Sequence, residues 1–410
     1  MDDATSLTIN RIAAQGDGVA DTASGPVFVP FTLPGEVVSA YVSGDRARLV
    51  TINTPSPDRI APVCKHFGTC GGCALQHMSE ASYRVWKREQ VVAAFKGRGI
   101  NANVGEMILA QGLRRRATLT ARGTGIGIAL GFHEAGTHDL VDIQECPVLM
   151  PDIVAALPGL KVLLAPLMAK KAEVRLVVTQ TSGGLDVAIE STERKLTPDL
   201  RANLARIAST HRLARVSIAG DPAFEASSPF LRFGNADCVT PPGSFLQAVA
   251  DAEATMAELM LAALPKVKAV ADLFSGVGAF TFPLAAKAKV FAADNNAEAI
   301  ASLQAAARKA TGLKPIETVV RDLLREPLSA LELNAFDAVV FDPPRAGAEA
   351  QSRMLAKSKV KTVIAVSCNP ATMARDVRIL IDGGYRLDAI TPIDQFRYTS
   401  HVEAVAVLRR

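Results

Sequence analysis

The sequence predicts an α/β protein: a buried, mostly parallel sheet in its C-terminal part, a small β-barrel at its N-terminus and a central α+β region with clustered cysteines. Three observations predict this. From about residue 250, short apolar runs (KAVADLF, AKVFAADNN, FDAVVFDPP, KTVIAVSCNP) alternate with amphipathic helical stretches, the pattern of a sheet covered on both faces. The first 60 residues instead hold only short strand-like runs punctuated by Gly and Pro. Between the two, CKHFGTCGGCALQH places Cys64, Cys70 and Cys73 within ten residues.

In chain order, residues 1–60 read as strands LTINRIA, GPVFVPF, GEVVSAYV and RARLVTI, closed by the breaker-rich NTPSPDRIAP. Residues 61–235 form the central region. The cysteines come first, then a helix over SEASYRVWKREQVVAAFKGRG, strands around GIGIALGFHEAGTHDLVDIQEC, and mixed elements such as AEVRLVVTQ and LDVAIE. Residues 236–410 carry a helix, DAEATMAELMLAALPKV, and then the strand–helix alternation that ends in VEAVAVL.

The bulk numbers narrow the class. At 410 residues and 49% hydrophobic, the chain can bury two or three cores. No apolar run approaches the length of a membrane span, and MDDATSLTIN lacks the basic start and apolar stretch of a signal peptide. A cytoplasmic protein, acting as a monomer, is expected. In a reducing compartment, six cysteines read as metal ligands or reactive groups, not disulfides. The net charge of +4 neither demands nor excludes a polyanionic partner. Residues 1–60 have four Arg/Lys against seven Asp/Glu, whereas 61–150 have ten against seven and contain the run Arg114-Arg115-Arg116. That run suits either a phosphate-facing patch or a solvated strand edge.

Every distinctive motif of the C-terminal half falls at the end of a strand, where open α/β sheets bind ligands. ADLFSGVGAF contains Gly276 and Gly278, which let backbone pass close to a ligand. Neither GxGxxG nor GK[ST] is present, which argues against dinucleotide and P-loop sites. Asp294, ending the next strand, is placed to hold a ribose diol, and Asp322, ending the third, to meet an adenine amino group. A ribose clamp without a phosphate cradle suggests a nucleoside ligand such as S-adenosylmethionine. FDPPRAG puts Asp342 at a fourth strand end, and AVSCNP puts Cys368 at a fifth. Cys368 reads as a nucleophile, with a buried structural cysteine as the alternative. Glu403 opens the last strand, as a catalytic group or simply an edge charge.

With these motifs in view, the chain resembles the S-adenosylmethionine-dependent RNA uracil-5-methyltransferase family, and within it the iron–sulfur-containing branch that modifies 23S ribosomal RNA. SFLQ (244–247), DLFSGVGAF (272–280), DPPR (342–345), SCNP (367–370), HVE (401–403) and GFHEAGTHDLVDIQECP (131–147) carry the likeness across nearly the whole chain. The resemblance implies a Rossmann-like methyltransferase domain at 236–410 behind an RNA-binding barrel. It also implies that Cys368 adds to C6 of a uracil, that Glu403 removes the C5 proton, and that Gln247, Phe274, Gly276, Ala279, Asp294, Asp322 and Asp342 contact the cofactor and target base. The chain departs from the family pattern at Ala279 and Val249, where Asn is usual, and at Asp294, where Glu is common.

Spacing alone lets Cys64, Cys70 and Cys73 bind zinc or an iron–sulfur cluster, or form a CxxC dithiol; no thioredoxin-like strand precedes that CxxC. The resemblance implies a [4Fe–4S] cluster with Cys146 as fourth ligand. Cys238 is expected to be a packing residue. The implied partner is 23S ribosomal RNA. Alternatives are a transfer-RNA uridine methyltransferase, a branch expected to lack the barrel and cluster, or a catalytically silent RNA-binding maturation factor.

Overall fold

The computed structural model describes residues 4–410. At the N-terminus six strands, β1 (Thr5–Thr8), β2 (Arg11–Ile12), β3 (Gly18–Thr22), β4 (Gly25–Val29), β5 (Val37–Ser43) and β6 (Arg46–Thr54), form one sheet of order β1-β5-β6-β4-β3-β2. The expected small barrel is thus a curled half-barrel. Its edges are β1, which pairs only with β5, and the two-residue β2, which pairs only with β3. A strand that short offers too few ladder bonds to close the circle.

The segment after β6 carries three of the cysteines and leads into helix α1 (Glu80–Lys96). The Ser79 side chain caps this helix by accepting from the Ser82 amide. Strand β7 (Ile108–Leu109) then reaches across to the C-terminal sheet. The central layer is a seven-stranded sheet of β8 (Arg116–Gly123), β9 (Ile128–His133), β10 (Leu140–Asp142), β11 (Glu173–Thr181), β12 (Gly184–Ile189), β13 (Leu213–Ile218) and β14 (Asp221–Glu225), in the order β10-β9-β8-β11-β12-β13-β14. Helices α2 (Pro151–Leu164) and α3 (Pro198–Thr210) cover it, sharing a core that includes Leu119, Ile153, Leu160, Val178 and Leu204. A hairpin, β15 (Phe230–Phe233) and β16 (Ala236–Val239), follows. Cys238 in it is fully buried, as expected of a packing residue.

The last part begins with α4 (Ala250–Ala263). It continues through β17 (Ala269–Leu273), α5 (Thr281–Ala285), β18 (Lys289–Asp294), α6 (Ala297–Lys309), β19 (Ile316–Val320), α7 (Ala330–Leu333), β20 (Ala338–Phe341), α8 (Glu349–Lys357), β21 (Thr362–Ser367), α9 (Pro370–Asp382), β22 (Arg386–Asp394) and β23 (Glu403–Arg409). Sheet order is β19-β18-β17-β20-β21-β23-β22-β7. The run β19 to β21 is parallel and β23 inserts antiparallel between β21 and β22. This is a Rossmann-like sheet. Its order reverses at β17, so a crevice opens at the C-terminal ends of β17, β18 and β20. The strands are apolar on both faces: β20 and β21 are buried at every residue. No helix among the described residues is long and apolar enough to cross a membrane.

One buried network ties α1 to the segment between β22 and β23. Asp394 accepts from Lys87 Nζ (2.8 Å), the Tyr83 hydroxyl (2.6 Å) and the Phe396 amide (2.9 Å), and the side chains of Lys87 and Asp394 are both wholly buried. Lys87 also donates to the carbonyls of Phe396 and His401. Burial outweighs the attraction of Asp394 and brings the Lys87 ammonium down to about 8. Removing one partner of a buried pair strands the other. Lys87→Met is therefore expected to destabilise the protein by about 3–5 kcal/mol, read as a lower urea midpoint, whereas Arg84→Met on the exposed side of α1 should change it by less than about 1 kcal/mol.

Candidate active site

A cavity of about 500 Å³ lies at the strand ends of the Rossmann-like sheet. It gathers residues that are far apart in sequence: Gln247, Phe274, Gly276, Ala279, Asp294, Asp322, Asp342, Cys368 and Glu403 all line it. Local structure explains each position. After β17 the chain turns sharply. Phe274 has φ +62°, Gly276 +53° and Gly278 +98°. Gly276 is needed for its backbone angle, since a Cβ there meets nothing; at Gly278 a Cβ would also approach Phe282 to 2.8 Å.

Asp294 ends β18. One carboxylate oxygen accepts from the Gly276 amide and the other from the Asn296 amide, each at 2.8 Å. Each oxygen keeps a further acceptor position, which suits the two hydroxyls of a ribose. Asn296 then caps α6 through the Ala299 amide (3.0 Å). Asp322 accepts from the amides of Leu324 (3.1 Å) and Arg325 (3.3 Å) and is more exposed. These features fit a nucleoside bound at the glycine turn.

Asp342 and Glu403 lie deeper. Gln247 Nε2 donates to Asp342 (2.7 Å). Glu403 is 2% exposed; its Oε2 accepts from Gln395 (2.9 Å) and its buried Oε1 has no partner. Burial, reinforced by the negative charge of Asp272, lifts the Asp342 carboxyl to about 7. Burial, with Asp342 nearby, pushes Glu403 well above the usual carboxylate range. Asp272, which accepts from Thr281 at 2.5 Å, is likewise raised to about 7 by burial.

Cys368 sits between Ser367, the end of β21, and Asn369, whose side chain caps α9 by accepting from Ala371. Burial and the carboxylates of Glu403 and Asp342 raise its thiol to about 11, opposed by Arg345. Sequence reading overlooked Gln395, Phe396 and Arg345. Phe396 and Arg345 line the cavity, and Gln395 joins Gln247 to Glu403. The arginine of DPPR was visible within a quoted motif; Gln395 lies in an irregular segment with no periodicity to mark it.

The arginine run is not a solvated edge. Arg115 is buried, with its guanidinium on Glu253 (2.6 Å) and on the Gln247 carbonyl (3.2 Å). Arg116 reaches the Gly243 carbonyl (3.4 Å) and Arg114 that of Arg397 (3.2 Å). All three brace loops around the cavity.

The expectation of a [4Fe–4S] cluster, and with it of a cysteine-cluster region and the iron–sulfur branch, is corrected. Cys64, Cys70, Cys73 and Cys146 line one small cavity of about 50 Å³ with Phe67, Phe132 and Ile143. Yet among the described residues no three or more His, Cys, Asp or Glu side chains form a group able to hold a metal ion. Burial raises the thiols of Cys70 and Cys146, and that of Cys73 to about 11. Gly71 serves packing: its amide donates to the His133 carbonyl (2.9 Å), where a Cβ would approach to 2.8 Å.

Comparison with known proteins fits this geometry. The family model for tRNA (uracil-5-)-methyltransferase matches residues 239–410. An uncharacterised RNA methyltransferase of Caulobacter vibrioides is 49% identical over 412 aligned positions, covering 98% of this chain and 99% of that one. The 23S rRNA (uracil(1939)-C(5))-methyltransferase of Chromohalobacter salexigens is 36% identical, covering 100% of this chain and 90% of that one. The chain belongs to the RNA uracil-C5 methyltransferase family. It is an S-adenosylmethionine-dependent enzyme whose family works through a cysteine adduct. The crystal structure of Pyrococcus abyssi tRNA (uracil-54, C5)-methyltransferase with S-adenosyl-L-homocysteine superposes with a TM-score of 0.75 at 25% identity, covering 98% of this chain and 100% of that one. The expectation that a transfer-RNA enzyme would lack the N-terminal region therefore fails: that enzyme matches this chain along almost its whole length.

The uracil-C5 methyltransferase site should hold Cys368 as a thiol at rest. Alkylation of Cys368 by iodoacetamide, followed by peptide mapping, is expected to quicken about tenfold per pH unit from pH 7 to 10, as the thiolate fraction grows. A plateau below pH 8 would contradict a raised thiol. Arg345→Ala should slow alkylation at every pH in that range, because the cation opposing the upward shift is gone.

Proposed function

We propose that this enzyme methylates C5 of a uridine in transfer RNA, with Cys368 as nucleophile and Glu403 as base. The observation that carries the chemistry is the joint presence, in one cavity, of a thiol at a helix N-terminus and a buried carboxylate with one unpartnered oxygen. Uracil C5 is too weak a nucleophile to be methylated unaided. Addition of the Cys368 sulfur to C6 makes C5 enolate-like. Bound S-adenosylmethionine supplies the methyl group as a sulfonium. Asp342 and Gln247 are placed to hydrogen-bond the base edge and meet the charge that develops there. Glu403 then takes the C5 proton on Oε1. The C–H electrons form the C5–C6 double bond, and the sulfur leaves C6 with its electron pair. The target base must leave its stack to enter the cavity.

Support for transfer RNA comes from the near-complete likeness to the Pyrococcus enzyme and from the family model. The second reading, 23S ribosomal RNA, is favoured by the full-length relative in Chromohalobacter. Methyl transfer to purified transfer RNA and to 23S RNA, both from a strain lacking the gene, separates them. Label is expected in transfer RNA; label in 23S RNA alone would support the second reading, and label in neither would overturn both.

The residue roles have their own test. Cys368→Ala should abolish methyl transfer with S-adenosylmethionine binding kept. Glu403→Gln should leave a denaturation-resistant enzyme–RNA adduct on gels, because addition proceeds while elimination stalls. Turnover by Cys368→Ala at the normal rate would remove the nucleophile assignment.

A further inference from the structure

Gln395 directly follows β22 and lies outside the motifs quoted from the sequence. Its side chain makes four contacts, and together they fix its orientation. Oε1 accepts from the backbone amides of Ala248 (2.8 Å) and Val249 (3.4 Å). Because amides can only donate, the other end of the side chain must be the NH2 group. That group donates to Gln247 Oε1 (2.6 Å) and to Glu403 Oε2 (2.9 Å). Gln247 is oriented in turn. With its oxygen engaged by Gln395, its own NH2 points at Asp342 (2.7 Å). A directed chain therefore runs from the 248–249 backbone through Gln395, branching to Glu403 and, by way of Gln247, to Asp342. Gln395 is 2% exposed, so no water competes for these bonds.

We infer that Gln395 is a positioning residue for the elimination step: by donating to Oε2 of Glu403 it leaves Oε1 as the oxygen that receives the C5 proton. The inference rests on Glu403 being the base. Two observations converge on it. Oε1 is the one oxygen of this carboxylate that is buried without a partner. The donor on Oε2 is held from behind by rigid backbone, so the carboxylate cannot rotate without breaking a buried bond. Burial and Asp342 raise Glu403, whereas the Gln395 bond lowers it. The same bond that aims the base thus also favours its ionised, proton-accepting form. The electron flow is that of the elimination already described, with no additional reactant. Gln395 touches Glu403 and Gln247, not the reacting atoms.

The test separates aiming from scaffolding. Gln395→Met keeps the length and fills the space while removing both donors. Its expected phenotype is a first turnover in which methyl transfer is slowed less than the release of methylated RNA, which falls roughly ten- to hundredfold, the loss of a hydrogen bond to a charged group. A methylated, denaturation-resistant adduct should accumulate. kcat should fall with the KM for S-adenosylmethionine within about twofold, while the thermal midpoint drops only modestly from the lost acceptor of the Ala248 and Val249 amides. Loss of cofactor affinity and kcat together, with no adduct, would mean that Gln395 only supports the fold and would overturn the inference. Glu403→Gln runs alongside. If it traps the adduct while Gln395→Met releases RNA at the unaltered rate, the positioning role is wrong and the base assignment stands. If Glu403→Gln turns over normally, the base assignment itself fails.

Discussion

The buried carboxylate of Asp394 is the contact on which the site depends. It ends β22, and the next eight residues, up to Val402, have no regular structure, yet they present Phe396 to the cavity, set Gln395 against Gln247 and Glu403 behind it, and deliver the chain to Glu403. An irregular segment has few backbone bonds of its own and must be held from outside. Asp394 anchors its first turn through the Phe396 amide. Lys87 grips both ends by way of the Phe396 and His401 carbonyls, and Tyr83 links Asp394 to the Tyr398 amide. Tyr398 has φ +66°, a strained angle for a bulky residue, and the surrounding bonds hold it there. An ion pair inside protein is seldom a net source of stability compared with apolar packing. Its value here is geometric: it specifies one path for a segment that apolar packing alone would leave free.

A second constraint is electrostatic. Asp272 and Glu403 are buried and Asp342 is half-buried around one end of the cavity, and among the described residues none has an ion-pair partner within 4 Å; the nearby Glu253 is neutralised by Arg115. Such a set cannot be fully ionised without large cost, which is why all three carboxyls are raised and the thiol of Cys368 with them. The arrangement is poor for an anionic ligand and good for a cationic one. A cation held in this cavity would oppose the upward shift of these groups, the thiol of Cys368 included.

Much of this was legible in the sequence, and the boundary has physical causes. Strand ends are readable because apolar runs stop there, so Asp294, Asp342, Cys368 and Glu403 declared themselves by position, and the structure gathers them in one cavity. Gln395 did not, because an amide in an irregular segment has no periodicity and gains its meaning only from partners in distant parts of the chain. The arginine run misled for the opposite reason: a cluster of charges looks solvated on paper, but Arg115 meets Glu253 across the interior, a pairing no spacing rule reveals. Cysteine spacing suggested a ligand set, yet spacing in sequence does not settle how the side chains meet, and among the described residues no group of three or more His, Cys, Asp or Glu able to hold a metal ion forms. Closure of the N-terminal barrel failed as an inference because strand number does not determine whether edge strands are long enough to pair.

The N-terminal half is tied to the same irregular segment, and this limits how independent the parts can be. The Tyr398 carbonyl accepts the amides of Ala74 (2.8 Å) and Leu75 (3.1 Å), next to Cys73, and the Ser400 hydroxyl meets the Gln15 side chain between β2 and β3 (3.4 Å). Further back, Arg59 makes two bonds to the fully buried Glu36 (2.5 and 2.8 Å), joining the curled sheet to the chain that leads into the cysteine loop. Bonds to a buried charge are costly to leave unmade. Disturbing the curled sheet at Glu36 therefore strains the loop that Tyr398 leans on, and through it the backbone that carries Gln395 and leads into Glu403.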